Sequence, residues 1–192
     1  MNITIFGGSF NPPTLGHRIV IDQAFELITG LEQIWLLPDY QHSFAKNNDL
    51  APASDRLAMA RMLEREKVKV ESSCIDNKMS GNTIEHVTYL KNKYTRHHFS
   101  FLMGSDNLKT FRLWPEWQAL LRLMVFYVYP RAGYPMKPLC HNMVPLTHPL
   151  QIVTNISSTL VRQRIQQNLS WEQLVPPGVA EYIRQKRLFL TA

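Results

Sequence analysis

Residues 3–17 read Ile-Thr-Ile-Phe-Gly-Gly-Ser-Phe-Asn-Pro-Pro-Thr-Leu-Gly-His. A β-branched and aromatic run ends at a glycine pair, crosses Asn-Pro-Pro and enters an apolar-periodic segment, which predicts a strand, a loop and a helix. Glycines let the backbone approach a ligand closely, and a helix start presents unpaired N–H groups and a positive dipole end to an anion. The stretch therefore predicts a phosphate site after the first strand.

Thr14 and His17 are one helical turn apart, so both side chains are expected on the same face of the helix start. For such a pair alone, the commoner interpretation is a Thr cap with a packed His. Their place after a strand that ends in Gly-Gly favours contact with a ligand phosphate. The segment matches neither the dinucleotide fingerprint nor a P-loop, because the Lys-Ser/Thr pair is absent.

Length and cysteine usage set the class of protein. The 192 residues suffice for one domain, residues 1–192, with a substantial core. Cys74 and Cys140 lie far apart with no CxxC motif, which predicts free thiols and no zinc or redox site. The chain shows no signal peptide and no long apolar span, so we expect a reducing, cytoplasmic setting.

The charge balance favours an anionic ligand. Lys and Arg number 21 against 15 Asp and Glu, and the isoelectric point is about 9.4. The basic residues are scattered rather than gathered into a run or stripe, which favours a concave phosphate pocket over a nucleic-acid or membrane surface. We therefore expect no nucleic-acid and no membrane partner; a homo-oligomer remains open.

Strand-like and helical patterns alternate along the chain. This alternation predicts an α/β, Rossmann-like, doubly wound and mostly parallel sheet with helices on both faces and a helical C-terminal end. Ligands then gather at the carboxyl ends of the strands. The predicted strands are residues 2–6, 33–37, 68–71, 99–103, 124–129 and 151–154, with residues 132–149 irregular. The predicted helices are residues 16–27, a helix capped by Ser54, and residues 83–94, 158–167 and 179–186.

A second helix start suited to anions follows the last predicted strand. Ser157, Ser158 and Thr159 offer hydroxyl and N–H groups there, and Arg162 lies one turn beyond Ser158. Taken singly, a Ser/Thr cap with a surface arginine is the commoner interpretation. Two such helix starts in one small domain indicate a polyphosphate ligand.

These two motifs carry a family resemblance. The run from Gly7 to Pro12 with Thr14-x-Gly16-His17, and Ile156-Ser-Ser-Thr-x-x-Arg162, resemble the nucleotidyltransferase signature. Within that superfamily the chain looks most like the bacterial nicotinate-nucleotide adenylyltransferases. The resemblance implies transfer of AMP from ATP to a pyridine mononucleotide, with pyrophosphate released by in-line displacement and no covalent intermediate. It also implies Mg²⁺ held mainly by the ATP phosphates, because the sequence shows no carboxylate cage.

The resemblance assigns site residues. The catalytic set is His17, Thr14 and Arg162, which we expect at the ATP phosphates. The ATP-binding set is Gly7, Gly8, Ser9, Phe10, Gly16, Gly104, Asp106, Ile156, Ser157, Ser158 and Thr159. The acceptor-binding set is Asp39, His42, Lys46, Thr83, Trp114 and Arg131. No residue is assigned as a metal ligand.

Some assignments compete with plainer interpretations. Asp106 is equally plausible as a helix cap, and a ribose hydroxyl is its implied ligand. A tryptophan such as Trp114 is more often core, although its flat face suits stacking on a pyridine ring; Trp117 is predicted to be core. His42 and Lys46 stand where the family has Pro-Pro-His-Lys, and a solvated loop is their alternative.

Two further departures from the family pattern concern charge and specificity. Thr14 replaces the usual first histidine of the motif and cannot carry a positive charge. Pro115 follows the stacking tryptophan, where relatives that prefer the acid offer a backbone N–H to the nicotinate carboxylate; proline has none. Losing one such bond costs about 1.5–3 kcal/mol of discrimination, which predicts activity with both nicotinate and nicotinamide mononucleotide.

Other functions remain open from sequence alone. Thr14 is also found in phosphopantetheine adenylyltransferases, so an adenylyl- or cytidylyltransferase for another phosphorylated acceptor is the main alternative. A nucleotide-binding regulator without turnover and a basic nucleic-acid-binding module are weaker ones, because His17 and Arg162 are both present.

Overall fold

The computed structural model describes residues 1–41 and 50–190. Its strands form one sheet in the order β3-β2-β1-β4-β5-β6, and all neighbouring pairs are parallel. The strands are β1 (Asn2–Gly8), β2 (Gln33–Pro38), β3 (Val68–Val70), β4 (His98–Gly104), β5 (Phe126–Tyr129) and β6 (Met143–Pro145). The α-helices are α1 (Leu15–Leu27), α2 (Ala53–Arg61), α3 (Ser73–Asp76), α4 (Thr83–Lys93), α5 (Trp117–Leu123), α6 (Ser158–Gln166) and α7 (Pro177–Lys186).

Helices cover both faces of the sheet, as the alternating pattern predicts. Helices α1 and α2 pack on one face, around Ile21, Ala60 and Leu102. Helices α3, α4 and α5 pack on the other, around Val87 and Phe101. Helices α6 and α7 form a third apolar cluster with α2. The Rossmann-like expectation is confirmed, and the strand order reverses between β1 and β4, where such sheets open a ligand crevice.

The sixth strand is not the predicted one. Residues 151–154 form no strand, and β6 lies inside the segment predicted to be irregular. The backbone of Ile152 forms hydrogen bonds with side chains instead of with a neighbouring strand. Its N–H donates to Gln23 Oε1 at 2.9 Å, and its carbonyl accepts from the Tyr129 hydroxyl at 2.6 Å. The strand β6 is short, edge-lying and ends in Pro145, all features that weaken a sequence signal.

The predicted cap of the second helix is also wrong. Helix α2 begins at Ala53 with Pro52 as its N-cap, so Ser54 lies inside the first turn and makes no capping bond. Both cysteines are free, as expected. Trp117 is half-buried and packs beside Phe111 at the edge of the α4-side core. Within residues 1–41 and 50–190, no helix combines the length and apolar content needed to cross a bilayer.

Candidate active site

A cavity of about 650 Å³ opens at the carboxyl ends of β1 and β4, a volume typical of small-molecule sites. It collects residues that are far apart in sequence, because parallel strands bring their following loops to one sheet edge. The predicted site residues that line it are Gly7, Gly8, Ser9, Phe10, His17, Asp39, Thr83, Gly104, Asp106, Trp114, Arg131, Ser158 and Thr159.

Other predicted site residues are not among those that line the cavity. They are Thr14, Gly16, Ile156, Ser157 and Arg162. Thr14 and Gly16 are buried, and the remaining three are half-buried. His42 and Lys46 lie outside the described residues.

One side of the cavity, the α1–α6 wall, consists of the starts of these two helices and the loop before α1. A Cβ added at Gly16 would lie 2.6 Å from the Ile156 carbonyl oxygen, so only glycine permits this approach. The Ser158 hydroxyl donates to the Pro12 carbonyl at 2.7 Å, and Arg162 Nη1 donates to the Asn11 carbonyl at 2.8 Å. The two motifs predicted to share one phosphate ligand are therefore in direct contact.

Capping and ligand contact are divided among neighbouring residues at the start of α6. Ser157 is the N-cap, and its hydroxyl accepts from the Leu160 N–H at 3.2 Å. Ser158 and Thr159 line the cavity. Arg162 is half-buried and fastens the loop before α1 through Asn11. The capping role therefore belongs to Ser157, while Ser158 and Thr159 are exposed to the cavity.

The contact with Thr14 fixes which ring nitrogen of His17 carries the hydrogen. Thr14 is fully buried, and its backbone N–H donates to His17 Nδ1 at 3.0 Å. Because an N–H only donates, Nδ1 is the bare nitrogen and Nε2 carries the hydrogen. Burial, and then the charge of Arg131, lower the pKa of His17 to about 4. His17 is therefore a neutral imidazole, and Thr14 acts as the residue that orients it.

Arg131 and Asp106 form the floor between the walls. Arg131 Nε lies 3.9 Å from Asp106 Oδ1, and a Cβ at Gly104 would come 2.9 Å from Arg131 Cγ. The backbone N–H of Arg131 donates to the Ser105 hydroxyl at 3.0 Å. The positive charge of Arg131 contributes to lowering the pKa of His17 on the α1–α6 wall.

The opposite side, the α4 wall, consists of Thr83, His86, Trp114 and Asp39. The Trp114 ring is half-buried and packs against Phe111, with 5.2 Å between ring centroids. His86 is only 2% exposed, and its Nε2 lies 2.5 Å from the Ser80 carbonyl oxygen. His86 Nδ1 lies 3.8 Å from Asp39 Oδ1. This wall combines an aromatic face with titratable groups.

Sequence reasoning missed two residues that shape the site. His86 is three positions after Thr83, so helical spacing alone could have placed both on one face. Arg56 is fully buried and donates to the carbonyls of Ser9 at 2.9 Å, Asp39 at 2.6 Å and Tyr40 at 2.7 Å. It ties the loops after β1 and β2 together, and nothing in the local sequence predicts that role.

The sequence analysis assigned no side chain as a metal ligand. Among residues 1–41 and 50–190, no group of three or more His, Cys, Asp or Glu is placed to hold an ion. The two aspartates lining the cavity are in different places, Asp106 on the floor beside Arg131 and Asp39 on the α4 wall beside His86.

Fold and cavity define a class of protein. Residues 5–164 match the cytidylyltransferase-like family, and the chain belongs to this family of nucleotidyltransferases. Among curated relatives it is 31% identical to a protein of Flavobacterium johnsoniae named "Probable nicotinate-nucleotide adenylyltransferase", over 98% of this chain and 99% of that one. A relative of the same name from Lactiplantibacillus plantarum is 29% identical over 97% of this chain and 87% of that protein.

Solved structures give the same fold. The chain superposes on a Plasmodium falciparum nicotinic acid mononucleotide adenylyltransferase complexed with NaAD, with a TM-score of 0.80. The two are 20% identical, and the match covers 98% of this chain and 97% of the other. A second structure of that enzyme, complexed with APC, gives 0.78 at 20% identity over 98% and 96% of the two chains.

Proposed function

We propose that this chain transfers AMP from ATP to nicotinate mononucleotide, forming deamido-NAD and pyrophosphate. The observation that carries the proposal is the direct contact between the two phosphate motifs beside a neutral His17, across the cavity from Trp114. The names of the relatives supply the acceptor.

The chemistry is a single displacement. A phosphate oxygen of the mononucleotide attacks the α-phosphorus of ATP, the bond from that phosphorus to the bridging oxygen breaks, and pyrophosphate leaves with the electron pair. Since the nucleophile is already anionic, catalysis reduces to alignment and to stabilising charge on the transferred and leaving groups.

The α1–α6 wall suits the triphosphate. His17 Nε2–H is a fixed donor that is neutral at physiological pH, so its role is a directed hydrogen bond. The Ser158 and Thr159 end of α6 adds N–H groups for the leaving phosphates. Arg162 supports that end through Asn11 in our proposal, in addition to the phosphate contact expected from the family.

The floor and the α4 wall suit the acceptor. Trp114 offers a flat face for the pyridine ring. Arg131 lines the same cavity and its charge acts on His17, which supports its assignment to the reacting phosphates. A divalent cation, Mg²⁺ in our proposal, is carried mainly by phosphate oxygens. Asp106 is left to bind a ribose hydroxyl next to Arg131.

The test is pyrophosphate release by the purified chain with ATP or CTP and a panel of acceptors: nicotinate mononucleotide, nicotinamide mononucleotide and phosphopantetheine. We expect turnover with ATP and the pyridine mononucleotides, with products identified by mass. Turnover with CTP alone, or with phosphopantetheine alone, contradicts the proposal. Nucleotide binding without any turnover would indicate a regulator instead.

Selectivity between the two pyridine acceptors is part of the proposal. Pro115 has no N–H to offer a carboxylate, and it faces a separate surface groove with Ser80 and Asn82 rather than the main cavity. We expect kcat/KM for the acid to exceed that for the amide by less than about a thousandfold, roughly 4 kcal/mol. A larger preference for the acid rejects dual use.

A further inference from the structure

Asp39 and His86 form a pair of titratable side chains on the α4 wall, 3.8 Å apart between Oδ1 and Nδ1. Both line the main cavity. The separation is too long for a hydrogen bond, but it is short enough for the charge of one group to act on the other.

The protonation of His86 follows from its second contact. Its Nε2 lies 2.5 Å from the Ser80 carbonyl oxygen, which only accepts, so Nε2 carries the hydrogen. Burial lowers the pKa of His86, which keeps the ring neutral and leaves Nδ1 as a bare acceptor turned toward Asp39. His86 therefore supplies no positive charge to balance an ionised Asp39.

Asp39 itself is near the midpoint of its titration at neutral pH. Burial raises the pKa of its carboxyl to about 7, against the lowering effect of the Arg56 charge. Within the described part of the chain, further titratable groups near the pair are Cys74 on α3, a thiol whose own pKa is raised by burial and by Asp39, and Glu71 and Glu85. The Asp39 carboxyl therefore changes charge at pH values close to neutral.

This pair belongs to the same half of the cavity as the stacking tryptophan. Leu37 of β2, Val87 of α4 and Phe111 share one apolar cluster, against which Trp114 packs. Asp39 follows β2 directly, and His86 precedes Val87. Asp39 and Trp114 line the same cavity, so a pyridine ring lying on Trp114 shares that space with the Asp39 carboxyl.

We propose that Asp39, held beside His86, determines selectivity between a carboxylate and a carboxamide on the pyridine ring, and does so as a function of pH. Ionised Asp39 repels the carboxylate and accepts a hydrogen bond from the carboxamide. Protonated Asp39 donates to either group and repels neither. The inference rests on the proposed function and names a specificity residue for it.

The sharpest test is internal competition. Equimolar nicotinate and nicotinamide mononucleotides share one reaction with limiting ATP, and the ratio of deamido-NAD to NAD formed is measured from pH 6 to pH 8.5. Steps common to both acceptors, including titration of their phosphates, cancel in this ratio. We expect the ratio to fall by about tenfold or more across that range in the wild type.

Two variants locate the effect. Asp39→Asn keeps the shape and cannot ionise, so its ratio should be independent of pH; Asp39→Ser serves the same purpose if the first variant does not fold. Asp106→Asn removes the carboxylate beside Arg131, and whatever it does to turnover, the wild-type pH dependence of the ratio should remain.

Three results overturn the proposal: a flat wild-type ratio, a wild-type slope retained in Asp39→Asn, or a slope lost in Asp106→Asn. A flat ratio with both rates falling together would place Asp39 near the shared phosphate instead of the ring. Failure of the proposed function looks different, because neither dinucleotide then forms at any pH.

Discussion

The two walls of the cavity are built in different ways. The α1–α6 wall is held through backbone groups: glycine at position 16, carbonyls that accept from Ser158 and Arg162, and a main-chain N–H that donates to the His17 ring. The α4 wall is held by side chains from separate elements and contains a carboxyl near its titration midpoint. In our proposal the first wall binds the triphosphate, which is the same in every reaction, and the second binds the acceptor group that differs between substrates.

The largest expected effect comes from breaking the α1–α6 wall at His17. Replacing His17 by Ala removes the Nε2–H donor, and kcat should fall by about 10²–10³-fold with little change in KM for ATP. Steady-state pyrophosphate release measures both. Arg18→Ala, on the exposed side of the same helix, is the matched control. Equal losses in kcat and ATP affinity would indicate simple binding by His17.

The next largest effect is expected at Arg56, which connects the loops after β1 and β2. Arg56→Met leaves several buried carbonyls without their donor, and we expect the free energy of unfolding to fall by about 2–4 kcal/mol. Urea denaturation measures the change. Arg61→Met, at the exposed end of the same helix, should cost far less. Similar losses in both variants would mean that Arg56 does not join the two loops.

Gly16→Ala tests the close approach of the two motifs. A methyl group there meets the Ile156 carbonyl, so α1 and α6 must separate, with an expected loss of about 1–3 kcal/mol in stability and a loss of turnover. Thermal unfolding and pyrophosphate release report the two effects. Gly178→Ala, in helix α7 with only ordinary contact to Met62, should be neutral or slightly stabilising. An unaffected Gly16→Ala enzyme contradicts the contact.

Trp114 tests the α4 wall. Trp114→Ala should raise KM for the acceptor by about tenfold, the value of one aromatic stack, while KM for ATP stays the same. Trp114→Phe should recover part of the loss. The comparison fails if the KM for ATP changes as much as that for the acceptor.

The smallest expected effect is on the pH dependence of folding stability. His17 on one wall and Asp39 on the other should change stability in opposite directions as pH rises. His17 has a lowered pKa in the folded state, so its contribution is present above pH 6.5 and is lost as pH falls through about 4. Asp39 has a raised pKa in the folded state, so the folded protein binds the extra proton and stability falls as pH rises from about 4 to about 7.

Denaturation midpoints at pH 4, 5.5 and 7 separate the two contributions. Asp39→Asn should gain stability relative to the wild type as pH rises toward 7. His17→Ala should lose stability relative to the wild type over the same change. If the stability of either variant changes with pH in parallel with the wild type, the replaced residue does not contribute to the pH dependence.

The sequence was most informative where structure is local. The strand, glycine pair and helix of residues 3–17 correspond to β1, its loop and α1. The alternation of strands and helices was enough for the α/β sheet. The sixth strand was misplaced because β6 is a three-residue edge strand that ends in Pro145, whereas the apolar run near Ile152 is held by the side chains of Gln23 and Tyr129.

Sequence by itself determined that two helix starts suited to anions exist, because the glycine, hydroxyl and basic residues that make them are neighbours in the chain. Only the tertiary structure decided which of the predicted residues line the cavity. Thr14 is buried and bonded to His17, and burial lowers the pKa of His17. Folding also brings Arg162 to the Asn11 carbonyl and Asp39 beside His86. Solvent exposure and charge environment depend on elements that meet only after folding, so no local pattern encodes them.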